Sequence, residues 1–437
     1  MVKSIFTLFL FLFIHYTALP QNLGRRAFLG ASVSSPAPDR PGAVIRSVES
    51  GSPLESAGLL PGDRILKVNG TLAASDEIWT DITYGLRAEQ PTQFLVKRGE
   101  EVLTPTVKLK PWPKEEHTGI DTYYEEVIND FGITQRIIIT KPQQRGKQPT
   151  LVLIGGLSCS SIELHPTRTN NWQRTINDLV EKTGMVMMRI EKPGVGDSDG
   201  NCAQSDFLTD LSGYHAAIRK LKSKDYVDTT NIIIYGSSMG SALGPYLANE
   251  HGLAGVISDG TFFKTWFEHM LEIEHRIRQM SGDSESEIAE KLNKYYIPLY
   301  YKMMIEKKSY QEAINEYPAL ADYNYHSPEH MYGRPVAYYQ QLQDFDLAGG
   351  WENLEVPLRI MRGTNDWIMS AYDNQMIMDL LDRNGHEDHV LFEYEGMDHW
   401  NTIHERLDDS FLGNPGKWED QISGRLVRWA RELAGLE

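Results

Sequence analysis

Beyond residue 120 the chain alternates short apolar runs with stretches that carry apolar residues every three or four positions. YYEEVI and QRIIITKP read as a pair of antiparallel strands. TLVLIGG, MVMMRI, NIIIYG, GVISDG, PLRIMRG and HVLFEY read as further strands, and TLVLIGG is apolar throughout. Helices are expected over residues 171–182, 207–222, 239–249 and 418–433. Apolar strands interleaved with helices predict a parallel sheet covered on both faces. In such sheets chemistry gathers in the loops at the carboxyl ends of the strands. Residues 261 to about 350 interrupt the alternation. WFEHMLEIEHRIRQM and SEIAEKLNKYYIPLYYKMM repeat apolar positions at helical spacing, so this insertion is expected to be a set of helices.

Residues 22–112 follow another rhythm. AVIRSV and RILKVN are short strands bounded by Gly, Pro and Asp. PLESAGL between them reads as one short helix closed by Gly58, and a second helix is expected from Asp76 to Leu86. QFLVKR and LTPTVKL complete a small β-rich unit. PWPKEEHTG breaks both patterns, and residues 113–119 within it are the expected linker to a larger unit over residues 120–437.

A length of 437 residues accommodates two or three such units. A net charge of −17 argues against nucleic acid or an anionic membrane surface as the partner. The first residues, MVKSIFTLFLFLFIHYTALPQ, place Lys3 before an apolar run from Ile5 to Ile14. That is the pattern of a secretory signal, and the run is short for a membrane span. Two readings stand: cleavage of residues 1–20 near Ala18 and Pro20, leaving Gln21 first, or an uncleaved anchor. Either places the protein outside the cytoplasm, in the periplasm or beyond. There an even pair of cysteines, Cys159 and Cys202, invites a disulfide; two unrelated buried thiols are the other reading.

One stretch carries more chemistry than the rest. In IIIYGSSMG an apolar strand runs into Gly236, Ser238 and Gly240, and a helix follows. G-x-S-x-G between strand and helix is the setting of a nucleophile elbow. The turn strains the serine backbone, so its flanking glycines avoid a clash across it. A serine hydroxyl needs a base, and the base needs an orienting acid. Asp366 follows strand PLRIMRG, and His399 follows strand HVLFEY within YEGMDHW. Asp373, Asp398 and His404 are the rivals. Oxyanion donors are expected from the backbone of Met239 and of Leu157, with Ser158 as the alternative to Leu157. His386 and His389 stand three apart in a stretch that reads as loop, so no metal is expected. Neither a phosphate loop nor a dinucleotide fingerprint is present, and no cofactor is expected.

Two resemblances sharpen this reading. The run VIRSVESGSPLESAGLLPGDRILKVNG resembles a PDZ domain. Such domains bind a peptide carboxyl terminus as an added strand. The resemblance puts the carboxylate-binding turn at Phe28, Leu29, Gly30 and Ala31, with Arg25 and Arg26 placed to attract the anion. From about residue 120 to the end, the elbow and EKPGVGDSDG resemble the α/β-hydrolase superfamily, with Glu191 where an aspartate is usual. This implies an α/β fold with a mostly parallel eight-stranded sheet, strand order 1-2-4-3-5-6-7-8, and a cap at the insertion. Strands 3 and 4 are then neighbours, which brings the loops of Cys159 and Cys202 together. Tyr295, Tyr296, Tyr300, Tyr301, Tyr323, Tyr325, Tyr338 and Tyr339 crowd the cap, most of them expected in packing between helices.

The expected activity is ester hydrolysis through an acyl-enzyme on Ser238, with a small-molecule or peptide acyl substrate. A serine peptidase fed by the PDZ unit is the alternative, and a PDZ-based binding protein with a silent hydrolase is the third reading.

Overall fold

The computed structural model describes residues 23–36, 39–165, 170–323 and 330–436. The amino-terminal run read as an export signal lies outside them, as does Tyr325. Among the described residues no helix is long and apolar enough to cross a membrane.

The first unit is built from β1 (Ala27–Phe28), β2 (Ala31–Ser34), β3 (Ala43–Val48), α1 (Pro53–Ser56), β4 (Arg64–Val68), α2 (Asp76–Gly85), β5 (Pro91–Arg98), β6 (Glu101–Leu103) and β7 (Lys110–Pro111). Its antiparallel sheet runs β2-β3-β4-β5-β6. β1 pairs with β7, so the two ends of the unit meet. Ala43, Ile45, Leu54, Ile65, Phe94 and Val96 fill its core, alternate residues of each strand pointing inward.

The second unit contains β8 (Ile120–Ile128), β9 (Thr134–Pro142), β10 (Gln148–Ile154), α3 (Asn171–Lys182), β11 (Val186–Ile190), α4 (Phe207–Lys222), β12 (Val227–Ser237), α5 (Met239–His251), β13 (Gly255–Asp259), α6 (Trp266–Met280), β14 (Leu358–Gly363), α7 (Ala371–Arg383), β15 (His389–Tyr394) and α8 (Asp420–Leu433). Its sheet has eight strands in the order β8-β9-β11-β10-β12-β13-β14-β15, the order expected. β8, β9 and β11 meet antiparallel, and every other neighbour is parallel. The apolar runs lack polar alternation because both faces are covered. Val152, Ile154, Ile232, Ile234 and Val256 face α4, α5 and the cap. Leu151, Leu153, Ile233, Tyr235 and Ile257 face α3 and α8.

The insertion is helical, as its periodicity predicted. α6 opens it, and a nearly continuous helix follows through residues 285–305. π-turns at Leu292–Tyr296 and Tyr301–Ile305 bracket Pro298, which cannot donate to the helix ladder. Tyr296, Tyr300, Tyr338 and Tyr339 are buried among these helices.

The segment expected as a linker is anchored at Glu115, whose carboxylate accepts from both Nη atoms of Arg189, at 2.9 and 2.6 Å, and from the Leu164 N–H. Burial alone would push this carboxyl up; Arg189, His117 and the Leu164 N–H outweigh it and bring it down to about 2. Glu115→Ala leaves a buried guanidinium unpaired. It is expected to lower unfolding free energy by about 3–5 kcal/mol, read as a shift of the urea midpoint.

Candidate active site

β12 ends at Ser237 and α5 begins at Met239, so Ser238 alone makes the turn, at φ 55° and ψ −123°. The helix must start over the sheet at once, which brings Gly240 against β10. A Cβ on Gly240 would overlap the Ile154 carbonyl, and one on Gly236 would overlap the Gly240 carbonyl. The spacing of the two glycines is therefore steric. The Ser238 N–H is held by the Asp259 carbonyl at 2.9 Å.

Two more loops from the same rim converge on this hydroxyl. His399 Nε2 lies 2.9 Å from Ser238 Oγ, and its Nδ1 lies 2.9 Å from Asp366 Oδ2. The other oxygen of Asp366 accepts from the N–H groups of Ile368 and Met369, both at 2.9 Å. A Cβ on Gly363 would overlap the Met397 carbonyl, so the loops after β14 and β15 pack backbone against backbone. Burial opposes charge on His399, yet Asp366, with Asp259 and Asp398 behind it, raises its pKa. Burial likewise opposes charge on Asp366, but His399 and the Met369 N–H lower its pKa.

The rivals lie elsewhere. His404 is paired with Asp398 at 3.2 Å, and Asp373 sits on α7 facing Lys264 at 3.6 Å. The backbone N–H groups of Leu157 and Met239 donate to no acceptor among the described residues. Gly156 presses on the serine, since a Cβ there would lie 3.0 Å from Ser238 Cβ. The two cysteines are joined, Cys159 to Cys202, beside this loop. Glu191, at the position of the usual aspartate, is buried and pushed up to about 7 by that burial, and it accepts from Ser161 Oγ and the Ile162 N–H.

A cavity of about 490 Å³ opens above the serine. Trp266, His269, Trp367 and Trp400 form much of its wall, and Lys192 and Tyr332 add polar groups. None of the described tyrosines singled out in the sequence lines it. His269 was not foreseen; helical periodicity shows that α6 has a buried face, not what that face covers. It stacks on Phe262 at 4.3 Å, and burial, with Arg276 and His399 nearby, drives its pKa down to about 3. Asp259 was also missed, although it ends strand GVISDG on the active rim. It accepts from Tyr235 and Asn401, and burial pushes it up to about 6. Among the described residues no cluster of side chains is suited to a metal ion.

In the first unit, Gly30 has φ 67°, and a Cβ there would overlap Ser52, so glycine is required where the turn Phe28–Ala31 enters β2. β2 pairs only with β3 among the described residues, which leaves its outer edge open. Arg25 and Arg26 do not serve this turn as expected. Both reach Glu163 of the second unit, at 2.7 and 3.1 Å, and Arg25 also pairs with Asp197 at 2.6 Å.

Residues 141–402 match the family model of the alpha/beta hydrolase fold, more than half of the chain. The chain belongs to that family. Residues 27–109 match the PDZ domain. Among solved structures, this hydrolase-fold chain is similar to the Pyrococcus furiosus esterase Pf2001, at 12% identity and TM-score 0.44, over 74% of this chain and 96% of that one. It is similar to acetyl xylan esterase 1 from Thermoanaerobacterium sp., at 12% identity and TM-score 0.43, over 74% of this chain and 86% of that one. Est1E from Butyrivibrio proteoclasticus, with ferulic acid bound, gives 14% identity and TM-score 0.44, over 71% of this chain and 96% of that one. No match is found among curated proteins.

Two outcomes follow from the local geometry. In histidine-selective NMR the His399 ring is expected to titrate above the ordinary 6.5, while His269 stays neutral down to about pH 3 for as long as the fold survives. Ser238→Gly relieves the backbone strain that Ser238→Ala keeps, so the glycine variant is expected to be more stable than the alanine variant by about 1 kcal/mol in chemical denaturation.

Proposed function

We propose that this protein is an exported serine hydrolase that cleaves carboxylic esters through an acyl-enzyme. The observation that carries the reading is the relay of two 2.9 Å hydrogen bonds, Asp366 to His399 to Ser238, at the floor of a 490 Å³ cavity. Ser238 Oγ attacks the acyl carbon while His399 Nε2 takes its proton. Asp366 holds the Nδ1–H tautomer and stabilises the imidazolium. The oxyanion forms between the Met239 and Leu157 N–H groups, whose freedom from other acceptors suits them to it. Collapse returns the proton from His399 to the departing alcohol. Water then enters, gives its proton to His399, and releases the acid, restoring Ser238.

The mostly apolar wall of the cavity supports an acyl or aryl group as the part it holds. The open edge of β2 and the Gly30 turn support capture of a peptide carboxyl terminus by the PDZ domain. The amino-terminal signal pattern and the formed Cys159–Cys202 bridge support export.

The purified full chain is expected to react with a fluorophosphonate probe and to turn over short aryl esters. Ser238→Ala is expected to abolish both, and Asp366→Asn to lower kcat about 10⁴-fold. Peptide cleavage without ester turnover would favour the peptidase. No labelling would make the PDZ domain the working part.

A further inference from the structure

The loop that carries the Leu157 donor leaves β10 and runs through residues 155–165 without strand or helix. With no ladder to fix it, side chains must hold its backbone. Lys192 Nζ bonds the Ser158 carbonyl at 3.0 Å. Glu191 takes Ser161 and Ile162, and Glu115 takes the Leu164 N–H. Arg189 donates to the Ile162 carbonyl at 3.2 Å, and Tyr124 donates to the Glu163 carboxylate at 2.6 Å. Further restraints come from the PDZ side. Tyr84, in the last turn of α2, donates its hydroxyl to the Cys159 carbonyl at 2.9 Å. Arg25 and Arg26 grip Glu163.

These contacts divide the labour. Charged groups dock the units: Arg25 and Arg26 on Glu163 and Asp197, and Arg87 on the Ser198 carbonyl at 3.1 Å. The Tyr84 hydroxyl is neutral and adds little to docking. It reaches the backbone two residues beyond Leu157. Burial and the nearby Glu191 carboxyl raise its pKa, so it stays a donor throughout the neutral range. Cys159 is also tied to Cys202, which pins its side chain and leaves the orientation of its peptide to this bond.

We propose that Tyr84 is a positioning residue for the hydrolase reaction, and that the PDZ helix α2 thereby completes the oxyanion loop in cis. This rests on the serine-hydrolase reading. A donor displaced by a fraction of an ångström stabilises the tetrahedral oxyanion less while leaving substrate binding unchanged.

The test uses the full chain and Tyr84→Phe, which removes one oxygen and keeps the ring and every ion pair. With rates normalised to active sites titrated with the fluorophosphonate, kcat for an aryl ester is expected to fall about tenfold at unchanged KM. The rate of phosphonylation should fall in parallel, with Tm within about 2 °C of wild type. An unchanged kcat overturns the proposal. So does a loss that disappears on normalisation, or a fall in Tm without a fall in kcat, because each describes a structural bond only. A wild type that neither labels nor turns over esters is a separate outcome that removes the hydrolase reading and this role with it.

Discussion

Ser238 is held at a backbone conformation that a residue with a side chain adopts only under constraint. The whole active rim depends on that constraint. The turn exists because α5 must begin the moment β12 ends, and that fit is possible only with glycine on both sides. Strain of this kind persists where the surroundings over-determine it. Here they do: β12 is flanked by two parallel strands, both its faces are buried, and the Ser238 N–H that follows it is taken by the Asp259 carbonyl. A hydroxyl fixed at a known point lets loops from β14 and β15, distant in sequence, meet it at hydrogen-bonding distance.

Much of this was legible in the amino-acid sequence. Apolar runs without alternation marked a sheet covered on both faces, and Gly236 and Gly240 marked the turn. Asp366 and His399 stood out because each follows a strand and both strands end on the same rim. What periodicity cannot give is the direction in which a polar residue faces once two units pack. Arg25 and Arg26 beside the PDZ turn suggested an anion from a ligand. The anions are instead Glu163 and Asp197, which come from loops well over a hundred residues further along the chain. Glu115 fell in the stretch expected as a linker, and it is buried against Arg189 of β11, which is buried too. His269 was hidden in the same way, by a helix whose buried face could have covered anything.

The two units therefore do not behave like beads on a string. The Glu163 and Asp197 side chains are 1% and 0% exposed, and a large share of their neutralising charge comes from residues ahead of β1. Arg136 also reaches Asp197, at 3.1 Å, whereas on Glu163 the hydrolase unit supplies the neutral Tyr124 hydroxyl, at 2.6 Å, and both cations there are Arg25 and Arg26. Removing the PDZ domain would take both arginines from the Glu163 carboxylate, which lies on the loop that carries Leu157. Buried charge of this kind is costly unless paired. With these ion pairs placed between the domains, their association bears on the loop beside Ser238 as well as on tethering.

Electrostatics around His399 follow the same logic of separated roles. Three carboxyls act on one imidazole, and their surroundings set them apart. Asp366 is bonded directly to the ring and stabilised by backbone N–H groups, so its charge is kept down to low pH. Asp259 has neutral donors and is buried at the end of β13, so its proton returns near pH 6. Asp398 faces His404 and is likewise raised by burial. On acidification the outer carboxyls are neutralised before Asp366. Support for positive charge on His399 then weakens, yet the bond that fixes its tautomer remains. Asp366 thus sets the geometry of the relay and supplies the largest share of the support for charge on its imidazole, while Asp259 and Asp398 add a smaller share that acidification removes first.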